Sequence, residues 1–203
     1  MNSENNNLQK VNYHFLKVFG QLTHRHRALD VWRDFIVMFA CALSNPLDKS
    51  HYAEREKRYL SIIQKYNKQE QESFPKLTAY TVMALEENPE QDFLGSIFME
   101  LDLGNKSNSQ FFTPYHICEM MAKVTVENAA DIVKEKGYIT FHDCCCGAGA
   151  TLIAAVNEAR KQLEKVNLNF QNHVLVAAQD IDETVALMCY IQLSLLGVAA
   201  YIK

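Results

Sequence analysis

The stretch Asp143-Cys144-Cys145-Cys146-Gly147-Ala148-Gly149 holds the residues with the clearest chemical potential in the chain. It lies between a short apolar run, 138–144, and a helical pattern that begins at Thr151, so its glycines occupy a strand-to-helix turn. Glycine there lets the backbone approach a ligand closely, and the helix start offers unpaired N–H groups. A nucleotide-like cofactor fits that geometry, although a bare G-x-G also fits a small-residue turn that holds nothing. A dinucleotide fingerprint wants a third glycine where Leu152 stands. The Asp143 carboxylate would repel a pyrophosphate and face an ammonium or hydroxyl group, which suits a zwitterionic, phosphate-free cofactor such as S-adenosylmethionine.

A second candidate follows the next apolar run, 173–178. There Gln179, Asp180, Ile181 and Asp182 stand at a strand end. A carboxylate at such a position can accept hydrogen bonds from the two hydroxyls of a ribose, each charge-assisted bond being worth about 1.5–3 kcal/mol. Asp180 is expected in that role. Period-two alternation sends Asp180 and Asp182 one way and Ile181 the other, over an adenine ring. Asp182, next to Glu183, equally suits the N-cap of the following helix. Cys144, Cys145 and Cys146 read as small apolar fillers, because adjacent strand residues point to opposite faces and no spaced His or Cys completes a metal site. His116 and His142 read as structural or solvent-facing.

Placing these residues takes strands joined by helices. The pattern predicts a strand over 138–144, a helix over 151–164 with Leu152, Ile153, Val156 and Leu163 inward, and a strand over 173–178. A helix over 183–196 follows, closed by Gly197, and then a third strand from 198 to 202. That order implies a parallel α/β sheet with right-handed crossovers. Upstream, Thr113 reads as an N-cap with Pro114 at the first helical position, and the helix turns Ile117, Met120, Met121 and Val124 to one face. Over 8–101 apolar residues recur at helical spacing, among them Phe15, Phe19, Trp32, Phe35, Leu60, Ile63, Leu77, Leu85, Phe93 and Ile97, and predict five helices. Breaks are expected at 23–27, 44–46, 73–75 and 88–89. Residues 1–7, mostly Asn and Ser, read as a mobile tail. The division expected is a tail over 1–7, a helical domain over 8–103 and a cofactor-binding core over 104–203.

Composition narrows the classes. With 48% hydrophobic and 22% charged residues the chain resembles an ordinary globular protein able to bury a core. A net charge of −4 argues against a self-sufficient nucleic-acid-binding domain. His24, Arg25, His26 and Arg27, with Arg33, form a local basic cluster read as a solvated helix connection rather than a phosphate site. No run of about 18 apolar residues and no signal peptide are present, so a cytoplasmic protein without membrane contact is expected. The six cysteines read as reduced thiols.

Gln110-Phe111-Phe112-Thr113-Pro114, then Asp143 to Gly149, then Gln179-Asp180-Ile181-Asp182 resemble three ordered motifs of the N6-adenine DNA methyltransferases of the γ arrangement. The likeness is to modification subunits of type I restriction systems and phage-borne relatives, with Asp92-Phe93-Leu94-Gly95 as the usual lead-in. The resemblance implies a helical amino-terminal region followed by the first part of a Rossmann-like S-adenosylmethionine-dependent methyltransferase fold, its parallel sheet truncated. It implies that Gln110, Phe111, Phe112, Thr113, Pro114 and Tyr115 hold the methionine end of S-adenosyl-L-methionine. Gly147, Ala148, Gly149 and Ala150 would cradle the cofactor, with Asp143 beside them, and Asp180, Ile181 and Asp182 would take the ribose and adenine. The sequence departs from the pattern in having Cys144 where proline is usual, Ala148 where serine or threonine is common, and Ala150-Thr151 in place of a Gly-Phe pair.

Methyl transfer in that family uses an Asn or Asp, two prolines and an aromatic residue, which hold the flipped adenine. No such string occurs here, so no catalytic residue and no metal ligand is assigned, and the chain alone is expected to be inactive. The function implied is the cofactor-binding portion of a site-specific DNA adenine-N6 methyltransferase of a restriction-modification or phage system. Its partners would be DNA, reached through other segments or a specificity subunit, and a second copy at the exposed sheet edge. The alternative is a non-catalytic, degenerate methyltransferase-fold protein that binds a partner or acts as a decoy.

Overall fold

In a computed structural model the described residues are 2–103 and 112–203. They fall into two compact units, 2–88 with Glu100–Leu103, and Pro89–Met99 with 112–203.

The first unit is helical: α1 (Asn2–Thr23), α2 (Ala28–Leu47), α3 (Tyr52–Ile63), α4 (Lys68–Gln71) and α5 (Ser73–Glu87). Its core is aromatic. Phe15, Phe19, Trp32 and Phe35 are buried, and the pairs Phe15–Trp32, Phe15–Phe35, Phe19–Trp32 and Trp32–Phe35 meet edge to face with centroids 5.8–6.2 Å apart. That arrangement sets a positive ring edge against a negative face.

Several expectations shift here. The helix α1 runs back to Asn2, through most of the stretch expected as a tail, since extending a nucleated helix costs far less than starting one. The break expected at 44–46 falls slightly later: α2 carries Pro46, which removes one i→i−4 hydrogen bond, and the helix ends one residue beyond it, at Leu47. Pro75 lies in the first turn of α5, where N–H groups have no intrahelical acceptor in any case. In α3 the buried residue is Ile62, while Leu60 is exposed. Within the basic cluster, His26 Nε2 lies 3.5 Å from Glu70 Oε2 and the His26 ring 4.7 Å from that of Tyr66, so this part of it is engaged inside the unit.

The second unit contains α6 (Phe93–Glu100), α7 (Tyr115–Thr125), α8 (Ala129–Lys136), β1 (Ile139–Asp143), α9 (Ala150–Glu164), a 3-10 turn (Phe170–Asn172), β2 (Val174–Ala178), α10 (Glu183–Leu195) and β3 (Ala199–Ile202). The strands are parallel in the order β1-β2-β3, with Ile139 opposite Val174 and Leu175 opposite Ala199. This is a Rossmann-like α/β arrangement, as the alternation of strand and helix predicts. Val174, Val176 and Ala178 of β2 pack with Leu152, Ile153, Val156 and Leu163 of α9 and with Cys189 and Leu193 of α10. The opposite face of the sheet bears the exposed Thr140, His142, Leu175, Ala199 and Tyr201. Among the described residues no helix is long and apolar enough to cross a membrane.

Helix α7 turns a different face inward from the one its large residues predict. Cys118 and Ala122 are buried, whereas Met120, Met121 and Val124 are exposed, since small side chains let α7 approach α9 closely. The helix also begins at Tyr115 with Pro114 as its N-cap, and Thr113 makes no side-chain cap. The Pro114 carbonyl instead accepts from Ile117 and Cys118 N–H at 2.9 and 3.3 Å. The short helix α8 is not predicted from apolar spacing. Its marks are charges that suit the helix dipole, Asp131 early and Lys134 and Lys136 late, and Gly137 at its end.

Candidate functional site

The site is built where β1 and β2 end side by side. Past Asp143 the chain turns through 144–149 into α9, and the turn is tied down at nearly every step. Asp143 Oδ1 accepts from Cys145 N–H at 3.0 Å, and its Oδ2 accepts from the Thr151 hydroxyl at 2.6 Å. Cys146 N–H donates to Gln179 O at 3.0 Å, Gly147 N–H to Asp180 Oδ2 at 2.9 Å, and Gly149 N–H to Cys146 O at 2.9 Å. Asp143 therefore braces the turn against the first turn of α9 instead of standing free at a strand end. With Thr151, Cys118 and Phe141 it also lines a groove of about 230 Å³ between α7, β1 and α9.

The glycines are required by backbone geometry. Gly147 and Gly149 adopt φ of +53° and +96°, a region that costs an L-residue about 1–2 kcal/mol. A Cβ on Gly149 would stand 2.8 Å from Cys189 Sγ and 3.4 Å from Cys189 Cα, because α10 packs directly behind the turn. A Cβ on Gly147 would meet the Phe112 ring at 3.3 Å. That ring lies 5.4 Å from the Phe98 ring, so Phe112, alone among the described residues of the motif over 110–115, reaches the glycine turn. Gln110 and Phe111 lie outside the described residues. Thr113 and Pro114 are exposed beside the start of α7. Tyr115 is turned away from the turn: its hydroxyl receives a 3.5 Å hydrogen bond from Asn157 of α9, and burial pushes its phenol well above the usual range.

At the end of β2 the alternation expected for 180–182 does not hold, since the strand stops at Ala178 and the chain bends. Asp180 turns toward the glycines, where its Oδ1 accepts from Asp182 N–H at 3.0 Å as its Oδ2 accepts from Gly147. Each carboxylate oxygen keeps a lone pair beyond these bonds. Asp182 takes the other of its two readings and caps α10, its Oδ1 accepting from Thr184 N–H at 2.8 Å. Between them Ile181 is fully exposed, an aliphatic side chain held in water at the mouth of the turn.

The cysteine run divides. Cys146 is buried against Cys189, and the hydrogen bond with Cys146 together with burial pushes the Cys189 thiol far up. Cys144 and Cys145 are exposed, which corrects their reading as apolar fillers. The turn leaves the strand plane at Asp143, so only the third cysteine points inward. His116 and His142 face solvent.

Two residues of the site carry no obvious signal in the sequence. Thr151 is visible only as a replacement for a bulkier residue at the start of α9. Gln192 is a single amide between Ile191 and Leu193, fully buried, whose Nε2 donates to Ala148 O at 2.9 Å.

A glycine turn at the carboxyl ends of adjacent parallel strands, with an acidic residue shortly after the second, lies at the edge of the sheet where open α/β folds commonly bind ligands. The N-6 DNA Methylase family model matches residues 92–202, more than half of the chain, and the chain belongs to that family. Among solved structures it is similar to a candidate class I S-adenosylmethionine-dependent methyltransferase from Listeria monocytogenes. The identity is 13% and the TM-score 0.49, over 95% of this chain and 52% of that one. It is also similar to the type I restriction-modification system methyltransferase subunit from Streptococcus thermophilus, at 17% identity and a TM-score of 0.42, over 96% of this chain and 52% of that one. The chain thus spans about half the length of these structures. No curated protein matches it.

Proposed function

We propose that this chain is the S-adenosylmethionine-binding portion of a DNA adenine-N6 methyltransferase, working in the cytoplasm with DNA and a specificity subunit as partners. The observation that carries the reading is the pairing of Asp180 with the glycine turn. One carboxylate anchors Gly147 and still has lone pairs for the two ribose hydroxyls, beside the exposed Ile181, whose aliphatic surface suits an adenine ring.

The residues present fit that cofactor. Gly147, Ala148, Gly149 and Ala150 bring the backbone and the N-terminus of α9 to the ligand, and Phe112 closes the turn from the other side. S-adenosylmethionine, when bound, supplies an electrophilic methyl group on a sulfonium. The residues described here bind it and orient it. A dinucleotide is disfavoured, since the place of the third glycine of its fingerprint is taken by Leu152, buried in the core. Calorimetry should show saturable binding of S-adenosylmethionine that millimolar NAD does not displace. An absence of heat at millimolar S-adenosylmethionine, or displacement by NAD, would overturn the assignment.

A further inference from the structure

The glycine turn is held from behind through a buried polar relay outside the three motifs. Gln192 of α10 is fully buried, and its amide makes three hydrogen bonds. Nε2 donates to Asp92 Oδ1 at 2.8 Å and to Ala148 O at 2.9 Å, while Oε1 accepts from Leu94 N–H at 3.0 Å. These partners fix which way the amide points. Inverting it would set Oε1 against two acceptors and the NH₂ group against a donor, a costly arrangement away from water.

Asp92 is buried too, and its Oδ1 also accepts from Gly95 N–H at 2.9 Å. Burial pushes this carboxyl up, while the bonds from Gln192 and Gly95 oppose that shift. A side chain at position 95 would overlap the Asp92 carboxylate, so the Asp92-Phe93-Leu94-Gly95 string is shaped around this relay. Its far end is the Ala148–Gly149 peptide. That peptide is fixed at both ends, its carbonyl by Gln192 and its N–H by Cys146 O at 2.9 Å.

We propose that Gln192, oriented by Asp92, is a positioning residue that fixes the Ala148–Gly149 peptide and thereby sets the backbone that the cofactor meets. This rests on the S-adenosylmethionine reading given above. A buried amide that merely satisfied its neighbours would affect stability and leave the affinity of the folded protein unchanged.

The test uses the full chain and two variants. Gln192→Met keeps the volume and loses the hydrogen bonds; Asp92→Asn keeps a carbonyl oxygen for Gln192 and Gly95 and serves as the conservative rescue. Dissociation constants for S-adenosylmethionine are measured at a temperature where each variant shows the wild-type circular dichroism, alongside amide hydrogen exchange at Gly147 and Gly149 without ligand. Gln192→Met is expected to bind about tenfold more weakly and to exchange Gly149 N–H about tenfold faster, with Asp92→Asn within about threefold of wild type in both. If Gln192→Met does not fold, Gln192→Asn, one methylene too short to span Asp92 and Ala148, takes its place. A folded variant with wild-type affinity and wild-type exchange would overturn the proposal. A wild-type chain that does not bind S-adenosylmethionine would overturn the cofactor reading instead, and the exchange comparison would still decide whether Gln192 holds the turn.

Discussion

Replacing Gly149 by alanine is expected to destabilise the protein by about 3 kcal/mol, the sum of a left-handed backbone position and an overpacked neighbour. The φ of +96° gives the first contribution and the 2.8 Å approach to Cys189 Sγ the second. Gly137 separates the two. Its φ is +86°, but a Cβ there meets nothing within 4 Å, so Gly137→Ala should cost only the backbone share, about 1 kcal/mol. In a domain of this size each kcal/mol moves the melting temperature by roughly 2–4 °C, which makes the difference readable in a thermal or urea melt. Cys189→Ala in the Gly149→Ala background should recover part of the loss, since it removes the sulfur. It cannot recover all, because the backbone strain remains and the main chain of α10 at position 189 still lies 3.4 Å from the added methyl group. Equal melting shifts for Gly149→Ala and Gly137→Ala would show that α10 does not press on the turn.

Asp180→Ala carries the largest expected effect on binding, a loss of about 10–100-fold in affinity for S-adenosylmethionine. Two contributions combine. The ribose hydroxyls lose their charged acceptor, and Gly147 N–H loses the 2.9 Å bond that sets the turn. Asp180→Asn, which keeps one acceptor oxygen, should fall between wild type and Asp180→Ala. Asp182 supplies the control, because its carboxylate caps α10 through Thr184 N–H. Asp182→Ala should cost about 1 kcal/mol of stability and change the dissociation constant less than threefold. If Asp182→Ala weakened binding as much as Asp180→Ala, the division of roles between the two acids would be wrong.

The parts of this fold that show in the sequence are those fixed by short-range rules. The strands over 139–143 and 174–178 announce themselves as apolar runs, the first ending at Asp143 and the second two residues before Asp180, Gly197 marks the end of α10, and the glycine turn follows from residues that tolerate positive φ. What does not show depends on partners far along the chain. Gln192 looks like an isolated polar residue in an apolar helix until Asp92, 100 positions away, is placed beside it. Asp143 reads as a ligand-facing acid because its partner Thr151 lies across the turn. The alternation assumed for 180–182 fails because β2 ends before it, and the stripe predicted for α7 fails because the helix packs through its small residues, Cys118 and Ala122. Tyr115 illustrates the same limit, since only the position of Asn157 turns it from the site toward α9.

The most direct test of the central claim is to locate the ligand on the protein. Titrating S-adenosylmethionine into uniformly ¹⁵N-labelled chain should shift the backbone amide signals of Gly147, Gly149, Ala150, Asp180 and Ile181 together, along one saturating curve. No shift at millimolar ligand, or shifts confined to helices α1–α5, would contradict it.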